Sequence, residues 1–228
     1  MLALSGLKYD RRWTTGLDYD RRASSLVLGG GMEHAVDIKQ FVSPKITIEE
    51  WLAGKKSDID VFEYQVQGWV FDQVDALLAR PPAQAQHASH ALLGLTTPYF
   101  EMITCYLTGQ QTPRKQASEY LRRGLAVVLA GHGSAEAIKK YVSEVRNGIA
   151  HELMFRTVML HQGFPRMPSF GIEPNTGVLA VDPFWLAKVT HAHFQAYVHR
   201  LRNPQNADDH TALQNFTAFM KVRKARGV

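Results

Sequence analysis

A single cysteine, Cys105, stands among the 228 residues, so the chain can close no disulfide on itself, and this usage suits a reducing compartment. Cys105 sits inside the apolar run Tyr99–Leu107 with no dedicated base in view, and reads as a packed thiol rather than a nucleophile. No apolar stretch approaches the ~18 residues of a bilayer-crossing helix. The N-terminal "LKYDRRWTTGLDYDRR" sets acids and bases where a secretory leader would need an apolar segment. The expected location is therefore the cytoplasm, with no membrane partner. Also missing are a Gly-x-x-x-x-Gly-Lys phosphate loop, a Cys-x-x-Cys pair and a nucleophile elbow.

What is present is an ordinary soluble composition, 45% apolar, with a formal charge of +5 that leans toward polyanionic partners. The length predicts one domain with appendages. "GLKYDRR" from Gly6 and "GLDYDRR" from Gly16 repeat imperfectly, ahead of Gly29-Gly30-Gly31. Two copies are too few for a solenoid. Residues 1–31 are expected to form an arm or leader on a glycine hinge, with Met32 an alternative start, and 32–228 the folded domain. The aspartates beside the Arg-Arg pairs argue against a nucleic-acid-binding tail.

From Ile46 onward the periodicity is helical. Thr47 caps a short helix, and Ser57 precedes a run that places Phe62, Val66, Trp69, Val70 and Leu77 on one stripe before Pro81-Pro82. The next run carries Leu92, Leu95, Tyr99, Ile103 and Tyr106, with Pro98 predicted to kink or restart it. Thr112-Pro113 predicts the start of a helix that ends at Gly131, and Ser134 caps the one after. Two β-type runs around Pro174-Asn175-Thr176-Gly177 predict a hairpin near 168–182, and two further helices close the chain. The fold class is mainly α, a helical bundle with a small late β-hairpin.

The helix after Ser134 contains "SEVRNGIAHELMF". At 100° per residue Ile138, Val142, Val145, Ile149 and Leu153 fall within about 80° of one another, a core stripe. Asn147 then lies at about 180° and His151 at about −140°, both pointing away from the core, with Arg146 on the flank. A glycine inside a helix costs about 1 kcal/mol against alanine. Gly148 is expected to border that outward face and admit a ligand or a partner backbone.

Arg146, Asn147, three further residues and His151 together resemble the Arg-polar-x-x-x-His signature of the HEPN superfamily. Its members are small helical bundles with this motif on a late helix, and many are metal-independent endoribonucleases whose site forms between two protomers. The resemblance covers about Ile46 to Phe155 and implies a homodimer, with no cofactor and no metal. Many members also carry an acidic residue on an earlier helix, which carries over to Glu101. Many act as toxins or defence effectors, which implies an antitoxin or regulatory protein as partner.

The chemistry suits these side chains. RNA is cleaved without metal when its 2′-hydroxyl attacks the adjacent phosphorus, leaving a 2′,3′-cyclic phosphate. An imidazole titrates near neutrality and can move the proton. A guanidinium fork matches the phosphoryl oxygens as charge grows on them. His151 is thus the expected acid–base residue, Arg146 the phosphate holder and Asn147 an orienting group. Arg114, Lys115, Arg122 and Arg123 on the preceding helix, with Lys139 and Lys140, are the expected RNA contacts. A silent HEPN-like module that binds RNA, a nucleotide or a protein is the competing reading, and an interaction scaffold with an accidental motif a third. His191, His193 and His199 suggest a metal, but the His191–His193 spacing puts them on different helix faces.

Overall fold

The computed structural model describes residues 40–81, 84, 86–149 and 157–226. The expected arm at 1–31 and the motif's His151 lie outside the described residues, as does Leu153. The described chain opens on a ladder that the periodicity did not predict, β1 (Phe41–Ser43) antiparallel to β2 (Ile46–Thr47). Thr47 then caps α1 (Ile48–Leu52) as expected. Its hydroxyl accepts the Glu50 N–H at 3.1 Å, while the Glu50 carboxylate accepts the Thr47 N–H at 2.9 Å. Ser57 and Asp60 make the same reciprocal pair at the start of α2 (Asp58–Val66).

Between α2 and α3 (Asp72–Leu78) the helix passes through a π-type turn, Gln67–Phe71. One extra residue in that turn slips the apolar stripe by a position. Phe71 and Val74 follow Val66 into the core, and Trp69, expected on the stripe, is instead 45% exposed. The turn also meets the β1–β2 connection, where a Cβ on Gly68 would stand 2.5 Å from the Pro44 ring.

Helix α4 (Ser89–Thr108) is the axis of the bundle and runs on through Pro98 without restarting there. A mid-helix proline costs ~3 kcal/mol. Leu92, Leu93, Tyr99, Phe100, Ile103 and Tyr106 are all buried along this helix, and that packing outweighs the lost hydrogen bond. Helix α5 (Ala117–Leu129) starts later than Thr112-Pro113 predicted. Lys115 adopts a positive φ of 71°, which no helix can continue, so Pro113 opens a turn closed by the Gln116 N–H on its carbonyl at 3.0 Å.

Ser134 caps α6 (Ala135–Lys140) as expected, and the helix runs on as a second π-type turn, Tyr141–Arg146. The buried face of this motif helix is wider than the predicted stripe. Ala137 and Tyr141 are fully enclosed beside Val145, because Tyr141 stacks edge-on to Phe100, rests against Phe170 and shares a 2.8 Å hydrogen bond with the Thr97 hydroxyl. Gly148 falls on that widened side and is buried, which overturns its expected place on the outward face.

The predicted hairpin is present as β4 (Phe170–Ile172) and β5 (Leu179–Val181), and β3 (Val158–Leu160) adds a parallel third strand beside β5. Its turn is held by Glu173, whose carboxylate accepts the N–H groups of Asn175 and Thr176. Helices α7 (Pro183–Arg202) and α8 (Ala207–Ala225) complete the bundle. Phe62 marks its centre, with ring centroids of Tyr106, Phe194, Phe216 and Tyr197 at 4.5, 5.7, 5.5 and 6.0 Å. The basic tail is docked, with Lys224 paired to Asp58 at 2.6 Å and seated over the Trp51 ring. Among the described residues no helix is long and apolar enough to cross a membrane.

Asp182 joins the sheet to α7. Buried at 5% exposure, its carboxylate accepts the N–H groups of Phe184, Trp185 and Gly163 at 2.9, 3.1 and 2.9 Å. Asp182→Ala leaves those donors unpaired and is expected to lower unfolding stability by about 2 kcal/mol, measured by urea titration.

Candidate nucleic-acid interface

The first turns of α5 and the outward face of the motif helix run beside each other and enclose a groove of about 460 Å³. Lys115, Ser118, Glu119 and Arg122 form one wall, and Lys139, Val142, Ser143 and Asn147 the other. The spacing explains the second wall: positions 139, 143 and 147 lie four apart, one above another on a helix surface. Three of the expected RNA contacts, Lys115, Arg122 and Lys139, thus meet the motif's Asn147 in one place. The start of α5 opens there too. Gln116 gives it no side-chain cap, and Ser118 of its first turn lines the groove.

The other expected residues are distributed differently. Arg146 is half-buried, and its Nη1 reaches the Asn147 Oδ1 at 3.4 Å. Glu101 is half-buried on α4, on the stripe shared with Thr97 and Thr104, and is not part of the groove lining. Arg114 is exposed on the connection before α5, outside the groove. Lys140 is not part of the groove lining, and its Nζ donates to the Gly177 carbonyl at 2.5 Å, linking the motif helix to the hairpin.

Glu119 was missed as a site residue, although its i, i+3 and i, i+4 spacing to two arginines was readable. Its carboxylate accepts from Arg122 Nε and Nη2 at 2.8 Å each and from Arg123 Nε at 2.8 Å. Those hydrogen bonds, Arg122 first and Arg123 next, lower its pKa to about 2, so it stays ionised at every physiological pH. The groove lining therefore carries three cations, Lys115, Arg122 and Lys139, against one carboxylate. Its charge is net positive, with the Glu119 carboxylate paired to one of the three cations. Lys115 occupies it at a positive φ, a strained backbone state for a residue with a Cβ.

Of the three histidines that suggested a metal, His191 and His193 have separate structural contacts and His199 is exposed. His191 stacks on Phe71 at 4.4 Å and faces Asp75 at 3.4 Å. His193 meets the Tyr99 hydroxyl at 2.9 Å, and burial, with Arg200 nearby, lowers its pKa to about 4. Among the described residues no group of three or more ligand-type side chains could hold a metal ion. Cys105 is buried as expected, its thiol 3.3 Å from the Thr112 hydroxyl.

No family model, curated protein or solved structure matches the chain. The reading of this groove consequently rests on its own chemistry. Two lysines, an arginine with an acidic partner, an amide, two hydroxyls and a helix start can hold a phosphodiester and orient a ribose.

Proposed function

We propose that this chain is a HEPN-like, metal-independent endoribonuclease that acts as a cytoplasmic homodimer. The observation that carries the reading is the convergence of the motif residue Asn147 with Lys115, Arg122 and Lys139 on one groove. In this reading the phosphodiester is gripped by the lysines and the α5 start, Arg146 holds the scissile phosphate, and His151 moves the proton from the 2′-hydroxyl. The cleaved strands end in a 2′,3′-cyclic phosphate and a 5′-hydroxyl. One histidine per chain supplies half of an acid–base pair, so a second protomer completes the site. A protein of this kind serves as a toxin or defence effector, held in check by a neutralising protein.

Purified protein incubated with total RNA in excess EDTA tests the activity. Cleavage that persists without divalent ions is expected; strict dependence on added magnesium rejects the proposal. Light scattering at micromolar concentration is expected to give the mass of a dimer, and a monomer contradicts that part.

The silent-module reading is favoured by Glu119, which already occupies the guanidinium of Arg122. The two readings share a binding prediction. Glu119→Gln frees one or two cations and is expected to tighten single-stranded RNA binding by about three- to tenfold at low salt. The slope of log K against log salt should steepen by ~0.7 for each additional phosphate neutralised. Fluorescence anisotropy across a salt series measures both.

A further inference from the structure

On the opposite flank of α4, a second cavity of about 540 Å³ opens between α2, α4 and the last turn of α8. Its size falls in the ~300–1,000 Å³ range of organic-ligand pockets. Met102, Phe219 and Cys105 supply its apolar lining, beside the polar side chains of Gln65, Gln111 and Thr112. Arg223 and Arg226 line the same cavity. Neither has a carboxylate partner among the described residues, whereas their neighbour Lys224 is paired to Asp58.

Cations in a last turn commonly do no more than complement the helix dipole. Arg223 is placed differently. It is half-buried and turned into the cavity, where its Nη1 donates to the Tyr106 hydroxyl at 2.7 Å and to Gln65 Oε1 at 3.0 Å. Both partners are neutral, and the Tyr106 side chain is 1% exposed. A guanidinium fixed by two neutral oxygens keeps its charge uncompensated and its remaining N–H groups available. Arg226, exposed at the helix end, can close over the same point.

We infer that this cavity binds an organic anion with an apolar body, of the medium-chain carboxylate type. The carboxylate would sit between Arg223 and Arg226, and the hydrocarbon would lie against Met102, Phe219 and Cys105. The site shares no residue with the groove beside the motif helix, so it stands independently of the ribonuclease reading.

The only cysteine of the chain is the reporter. Iodoacetamide alkylation of Cys105 in the full-length protein, followed by mass spectrometry, is run with octanoate, 1-octanol or inorganic phosphate. At ten times its binding midpoint octanoate is expected to slow alkylation about tenfold, because only the empty fraction reacts. Octanol and phosphate should protect far less, since each supplies one half of the ligand. Arg223→Gln should erase the preference for octanoate over octanol, and Arg226→Gln, at an exposed position, should raise the octanoate midpoint severalfold. Should Arg223→Gln not fold, or the thiol react too slowly to follow, calorimetric titration of wild type and Arg226→Gln with octanoate decides. No octanoate binding at millimolar concentration, equal protection by octanol, or unchanged midpoints in both variants overturns the inference. Phosphate protecting as well as octanoate identifies a plain inorganic-anion site and overturns it equally.

Discussion

His151→Ala is expected to lower the RNA cleavage rate by ~10²–10⁴-fold, the usual contribution of a positioned acid–base group. RNA affinity, supplied by Lys115, Arg122 and Lys139 rather than by the imidazole, should change little. The split matters because it distinguishes a catalytic group from a binding one. An interaction that acts only on the transition state changes the rate constant and leaves the dissociation constant alone. Arg146→Lys makes the complementary case. It keeps a positive charge but loses the planar fork that meets two phosphoryl oxygens, so the rate should fall by about 10- to 100-fold with affinity again nearly intact. Single-turnover kinetics on a labelled RNA, beside anisotropy on the same strand, reads both quantities. Equal cleavage by wild type and His151→Ala would show that any nuclease activity came from another site or a contaminant.

The largest effect on stability is expected at Gly124. Helices α4 and α5 approach so closely there that a Cβ would lie 1.7 Å from the Phe100 carbonyl oxygen and 2.6 Å from its carbon. The obstacle is backbone of the central helix, which cannot swing aside as a side-chain tip would. Thr104 seals the same crossing, its hydroxyl donating to the Tyr120 carbonyl at 2.7 Å. Gly124→Ala therefore has to push the two helices apart and loosen the surrounding packing. A loss of ~3 kcal/mol is expected, at the upper end of overpacking costs. For a domain of this size that corresponds to a fall in Tm of about 6–12 °C by calorimetry. A change of less than about 1 kcal/mol would mean that the two helices separate there at little cost. Gly94, with open space where its Cβ would stand, is the control on α4, and Gly94→Ala is expected to be neutral or stabilising.

Features governed by neighbouring residues were legible in the sequence. Thr47, Ser57 and Ser134 cap helices because a hydroxyl three residues before a free N–H finds it locally. The hairpin turn follows from Glu173 and the positive φ of Gly177. Features set by distant packing were not. The π-type turn at Gln67–Phe71 inserts a residue that no 100° wheel contains, and it exposes Trp69. Pro98 stays helical with Thr96, Thr97, Tyr99 and Phe100 buried on either side of it. Gly148 is buried where the wheel put it outward, and Tyr141, absent from the predicted stripe, anchors the motif helix against α4 and the hairpin. The same division runs through the candidate site. The spacing of Lys139 and Asn147 on one helix face was readable, whereas the groove itself depends on how α5 lies beside the motif helix. Lys140, one residue along, illustrates the difference, since a 100° rotation sends it to the Gly177 carbonyl instead.

Photo-crosslinking locates the RNA strand along the motif helix without relying on turnover. His151→Ala protein, able to bind but not to cut, is loaded with RNA carrying 4-thiouridine, irradiated and digested for mass spectrometry. Adducts are predicted within residues 115–122 and 139–147, and Lys139→Glu should remove most of them. Adducts confined to α7 and α8, or spread evenly over the surface, would refute this placement of the strand.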